Sequence, residues 1–189
     1  MFKSLLVACI AVGVVTVVPE RIEAQKGLPA LDAEMKTTYA MSDGRQSTVD
    51  GHYYRSSTGE LREDSPLGSL ITNFAKRTVT VLKESTKEAR VVSVGPPSDT
   101  TRRESLPPAK PVGEGVVEGF RVTKVRMEDA NGGSQEIWTA PDLGLIVFSR
   151  VESRNMTTTR VLSKIRLAEP SRAVFAVPDG YKVNVDRGR

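Results

Sequence analysis

The chain has 189 residues, a formal net charge of +4 and one cysteine. That length gives a single domain able to bury a core, and one cysteine excludes a disulfide-stapled extracellular fold or a cysteine–zinc site. The basic excess is scattered among Glu, Asp and Thr and forms no patch with stacking aromatics, so nucleic acid is not an expected partner.

Met1-Phe2-Lys3 is a short basic start, residues 5–18 are an apolar run, and Ile22-Glu23-Ala24 offers a small residue at a cleavage position. This is the layout of a secretory signal peptide. The run stops at Pro19-Glu20-Arg21, short of the ~20 residues that span a bilayer. Cleavage near Ala24 is expected, leaving a single domain of residues 25–189 in the periplasm or secreted. Leu6-Val7-Ala8-Cys9 has the look of a lipidation box. Cys9 lies inside the apolar run, however, and reads as a small hydrophobe there.

Residues 25–33, with Gly27 and Pro29, read as a short extended leader. Residues 34–41 place Met35, Thr37 and Tyr39 on one face, as a strand does. Asp43-Gly44 marks a turn. Residues 45–50 and 52–56 are strand-like with a break at Asp50-Gly51, and Thr58-Gly59 marks the next hairpin before a strand at 60–63. Residues 65–75 are ambiguous. A strand at 69–72 with a turn at 73–76 is the preferred reading. A helical turn capped by Ser65 and opened by Pro66 is the alternative. Residues 78–82 and 88–94 form a strand pair around a loop at 84–87. Residues 95–112 hold five prolines and no apolar period, and read as one long loop. A long strand at 114–127 then turns at Asn131-Gly132-Gly133 and returns at 135–139.

The last third, from Ser134 to Val185, organises the domain. Apolar, β-branched runs are punctuated by Pro141-Asp142-Leu143-Gly144, Ser153-Arg154-Asn155 and Pro178-Asp179-Gly180. Val161, Ser163, Ile165 and Leu167 fall on one face, and Leu162, Lys164 and Arg166 on the other. Such alternation describes strands with one buried and one wet face. The expected fold is mainly β: an antiparallel meander curled into an unclosed, half-open barrel.

Catalytic chemistry finds little to work with. His52 is the only histidine, no nucleophile-elbow motif occurs, and His52 reads as an ordinary strand residue. Glu63-Asp64 and Glu128-Asp129 are acids beside turns, with nothing that selects them for acid–base work. Gly113 to Gly119 lacks the spacing and the following helix of a phosphate loop. No catalytic residue, metal or cofactor is expected, and the chain does not read as an enzyme.

Tyr53-Tyr54-Arg55, Gly59, Leu61-Arg62-Glu63, the 78–82 strand, Glu136-Ile137-Trp138, Asp142-Leu143-Gly144 and the ending Ala173 to Val183 together carry a resemblance. The chain resembles the LolA-like envelope proteins over roughly residues 35–185, most of all uncharacterised secreted members from soil bacteria such as acidobacteria. The resemblance implies an unclosed antiparallel barrel whose concave apolar face takes acyl chains, in carriers and in sensor domains. The chain departs from the carriers in one place. They begin with an amphipathic helix, and residues 25–33 are too short and too rich in Pro and Gly for one.

The function so implied is the binding of a lipid or another hydrophobic ligand on a concave sheet. The alternative is an envelope interaction module, with a protein partner and a core filled by its own side chains. The candidate cavity residues are Trp138, the sole tryptophan, with Phe120, Val122, Val147, Val161 and Ile165. The strand phases allow all six one face.

Overall fold

The computed structural model describes residues 27–94, 109–129 and 132–186. The first meander comprises β1 (Leu31–Met41), β2 (Gln46–Arg55), β3 (Leu61–Ser65), β4 (Gly68–Asn73), β5 (Thr78–Lys83) and β6 (Glu88–Ser93). The second comprises β7 (Lys110–Val117), β8 (Phe120–Glu128), β9 (Ser134–Ala140), β10 (Leu145–Glu152) and β11 (Met156–Arg166). β11 pairs antiparallel with β1 and joins the two meanders into one sheet. A last strand, β12 (Lys182–Asp186), adds parallel to β6. The strand order is β12-β6-β5-β4-β3-β2-β1-β11-β10-β9-β8-β7, and its two outer strands do not pair, so the barrel is unclosed. No α-helix occurs among the described residues.

Several boundaries differ from the sequence reading, each for a physical reason. The leader is already strand from Leu31, because Leu31 and Ala33 are wholly buried. Gly51 does not break β2. The strand runs through it, and a Cβ there would lie 2.2 Å from the Asp64 carbonyl oxygen and 2.8 Å from Met35 Cε. Glycine at this position permits close approach of β3. The long strand at 114–127 is a hairpin: Val117 pairs with Phe120, and Glu118 and Gly119 have φ of 51° and 84°. Two positive values are what a two-residue type I′ turn requires.

The long loop ends sooner than expected, since β7 includes Lys110, Pro111 and Val112. β7 is an outer strand and its register shifts between Pro111 and Gly113, conditions under which a sheet accommodates proline. Residues 1–26, on which the signal-peptide and lipidation readings fall, and 95–108 lie outside the described residues, as do residues 130, 131 and 187–189. At 65–75 the strand reading holds, as β4, and Pro66-Leu67 is the hairpin turn. The apolar residues 173–177 are no strand. Arg172–Phe175 is a 3-10 turn capped by the Ser171 hydroxyl, and its segment lies across the sheet. Phe175, Val177 and Tyr181 pack on Ile71, Leu82 and Ala89, and Arg62 donates to the Val174 carbonyl at 2.6 Å.

The main core gathers at one end of the sheet, where β1, β8 and β10 begin and β2, β9 and β11 end. It contains Leu31, Ala33, Met35, Tyr53, Val122, Ala140, Leu143, Leu145, Val147 and Leu162. Burial there follows from the hydrophobic effect alone, since nearly all its members are aliphatic.

Candidate functional site: the concave face

Which face is concave follows from two contacts. Neighbouring strands lie about 4.8 Å apart, so three strand steps span about 14 Å in a flat sheet. β11 and β3 are three steps apart. Arg160 on β11 nonetheless donates to both carboxylate oxygens of Glu63 on β3, at 3.2 and 2.7 Å. β2 and β10 are also three steps apart. Arg55 on β2 reaches the Leu143 carbonyl at 2.7 Å and the Gly144 carbonyl at 3.5 Å, just before β10 begins. Both contacts require the sheet to curl toward the face that carries Arg55 and Arg160. Register puts Leu31 opposite Arg55, Ala33 opposite Tyr53 and Thr37 opposite Arg160. That face is therefore the concave one.

Across the second meander the concave face runs Arg160, Ser149, Ile137, Val125 in one row and Thr158, Val151, Gln135, Met127 in the next. Met41 and Met156 face each other beyond them. In the first meander it carries Tyr53, Glu63, Leu70 and Val81, with Leu61, Thr72 and Val79 alongside. Most of these residues are half-buried, while Met41, Val81 and Val151 are 39, 44 and 42% exposed. Methionines 35, 41, 127 and 156 all lie on this face, and the chain's fifth is Met1.

Arg55 closes one end of the concavity. It is 1% exposed and donates twice to the Pro29 carbonyl, at 3.0 and 2.8 Å, besides its bonds to Leu143 and Gly144. Burial lowers its pKa from the usual value, and no carboxylate pairs with it among the described residues. Tyr53 is buried beside it, and burial pushes its phenol up to about 12. The opposite end, at Met41, Met127, Val151 and Met156, is the more open.

The six candidate residues do not share this face. Register sets Val161, Phe148, Trp138 and Lys124 in one row on the other side of the sheet. Phe120 and Val122 alternate with Lys124 and join them there. Ile165 is on the concave side, because β11 has a bulge where its register with β1 shifts between Asp32 and Glu34. Lys164, at φ 51°, is the extra residue, so the alternation from Val161 to Ile165 is interrupted. Val147 sits at a second bulge, between Ile146 and Phe148. Val122 and Val147 are each 1% exposed, while Phe120, Trp138 and Ile165 are half-buried and pack on the main core.

Trp138 has neighbours on both sides. Phe148 lies 4.4 Å away between ring centroids, Lys124 Nζ lies 4.1 Å from the ring centroid, and the indole N–H donates to Glu136 at 2.6 Å. His52 is stacked on Tyr54 at 4.6 Å. No group of three metal-ligating side chains occurs among the described residues. A shallow recess of about 330 Å³ at the β6–β12 edge is lined by Glu88, Arg90, Asn184, Val185 and Asp186, walls too charged for an apolar chain.

Comparison with known proteins bears on the fold. No protein-family model matches the chain, and no curated protein matches it. An uncharacterized conserved protein from Thermus thermophilus aligns at a TM-score of 0.59 and 8% identity, over 88% of this chain and 98% of that one. MucB, solved in complex with MucA(peri), aligns at 0.51 and 14% identity, over 85% of this chain and 58% of that one. A LolA superfamily protein from Nitrosomonas europaea aligns more loosely, at 0.40 and 8% identity, over 85% of this chain and 98% of that one. At such identities the likeness is one of fold. The expected architecture, mainly β with a single unclosed and largely antiparallel sheet, is the one the chain has.

Proposed function

We propose that this is an exported envelope protein that takes an acyl chain or another apolar ligand on its concave face, as a carrier or sensor, and catalyses no reaction. The observation that carries the reading is the placing of three methionines, Met41, Met127 and Met156, at the open end of the concave side, with Met35 further along the same face in the core. Methionine is flexible and polarisable, and surfaces rich in it adapt to ligands of varied shape. Beside them Ile137, Val125 and Val151 supply aliphatic area that the protein leaves half-covered. The ligand enters at the Met41–Met156 end, since Arg55 and Leu143 fill the other. The apolar run at residues 5–18 supports export, with maturation near Ala24.

The test is titration of the purified protein with a fluorescent fatty acid. Saturable binding is expected, with Ile137→Asp weakening it at least tenfold while the circular dichroism spectrum is unchanged. Binding that ignores Ile137→Asp would refute the concave site.

A second reading, an envelope interaction module with a self-filled core, is favoured by the core residues Leu31, Ala33, Met35, Tyr53 and Leu162, which occupy one end of the concavity. The fold likeness to MucB, a protein solved with a protein partner, fits this reading too.

A further inference from the structure

We propose that β12 is a self-complementary edge through which two copies of this chain pair antiparallel about a two-fold axis at Asn184. No described strand pairs with the outer side of β12, and all five of its residues are exposed. An unpaired edge offers a row of free N–H and C=O groups to another strand. The other outer strand, β7, is blunted by Pro111 and a register shift, and β12 carries neither device.

The backbone phase of β12 is fixed by its pairing with β6. The Lys182 amide donates to the Lys87 carbonyl at 2.8 Å, and Lys182, Asn184 and Asp186 stand opposite Glu88, Arg90 and Val92. These alternate residues turn their backbone groups inward to β6. Val183 and Val185 turn theirs outward, which makes them the hydrogen-bonding positions for any added strand.

The sequence Lys-Val-Asn-Val-Asp reads the same in chemical type from either end once charge is reversed. Centred on Asn184, Val183 of one copy opposes Val185 of the other, and the two exchange about four main-chain hydrogen bonds over both pairs. The valines, 51 and 59% exposed, cover one another on one face of the joined sheet. On the other face Lys182 opposes Asp186 and Asn184 meets its own copy. Opposite charges directly across a strand pair are stabilising and like charges destabilising, so this register is preferred over a shift of the axis to Val183 or Val185. An isologous contact closes at two copies and forms no fibre.

Sedimentation velocity of the purified protein tests this, at chain concentrations up to about 1 mM, because so short an interface belongs to the weak class. Wild type is expected to pass from monomer to dimer within that range. Val185→Pro removes an outward donor and no bond to β6, and edge strands accept proline in that orientation. It should weaken the dimer at least tenfold with an unchanged circular dichroism spectrum. Lys182→Glu sets like charge against Asp186 of the other copy, and also against Glu88 of its own chain. It should weaken the dimer several-fold with an unchanged circular dichroism spectrum, a second arm if the proline variant misfolds. A wild type that remains monomeric at the highest concentration overturns the proposal. So does a dimer that neither substitution affects, which places the contact elsewhere.

Discussion

Arg55→Met is the substitution whose effect follows most directly from the geometry. The buried guanidinium satisfies the carbonyls of Pro29 and Leu143 and touches that of Gly144. Methionine has a similar length and no donor. Leu143 is buried and Pro29 half-buried, so two acceptors lose partners that water replaces poorly, whereas Gly144 is exposed and its carbonyl turns to solvent. A buried acceptor left unpaired costs about 1–3 kcal/mol. Removing an unpaired buried charge offsets part of this. The net loss is about 2–4 kcal/mol, or about 5–15 °C in melting temperature for a domain of this size. Arg55→Lys keeps the charge but presents one compact ammonium that cannot bridge both carbonyls, and should lose about as much. Urea unfolding followed by circular dichroism measures both. If Arg55→Met lies within about 0.5 kcal/mol of wild type, the guanidinium is not what locks the 141–144 turn onto the start of β1.

Gly51→Ala forces a Cβ against the Asp64 carbonyl and should cost about 3 kcal/mol, the upper part of the overpacking range, read from the same unfolding curves. Tyr53 should titrate near 12, burial being the cause. Between its ordinary value near 10 and that value the unfolded chain has lost a proton that the folded chain keeps, so stability falls as pH rises through this window and is fully present below it. Phenolate absorbance and alkaline unfolding check both statements, and a Tyr53→Phe chain should lack that slope. Trp138→Leu should lose about 2 kcal/mol from the Phe148 pair and the Lys124 cation–π contact together. Trp138 fluorescence should not respond to added fatty acid.

The hairpins at Asp43-Gly44 and Thr58-Gly59 were legible because their residue types carry the turn geometry themselves. The hairpin at Glu118-Gly119 was not, because glutamate gives no sign that it adopts a positive φ. Gly51 misled in the other direction, since a glycine kept for close approach looks the same in sequence as one kept for a turn. Alternation alone does not say which face of a sheet is concave, so Phe120, Val122, Trp138 and Val161 share a face that is not the concave one. With Lys164 bulged, Val161 and Ile165 separate onto opposite faces, and period-two reading past that point inverts. Met35, Thr37 and Tyr39 share one face, as their alternation predicts, but that the same face carries Met127 and Met156 depends on register between strands distant in sequence. Arg55 and Glu63 likewise show their role only once the sheet has curled.

The most direct test of ligand binding on the concave face is organic extraction of the protein purified from its own envelope fraction, with mass spectrometry of the extract. The account predicts an acyl-chain compound in amounts near one per chain, lost in Ile137→Asp and retained in Trp138→Leu. An extract free of such compounds, or one that depends on Trp138 and not on Ile137, would contradict it.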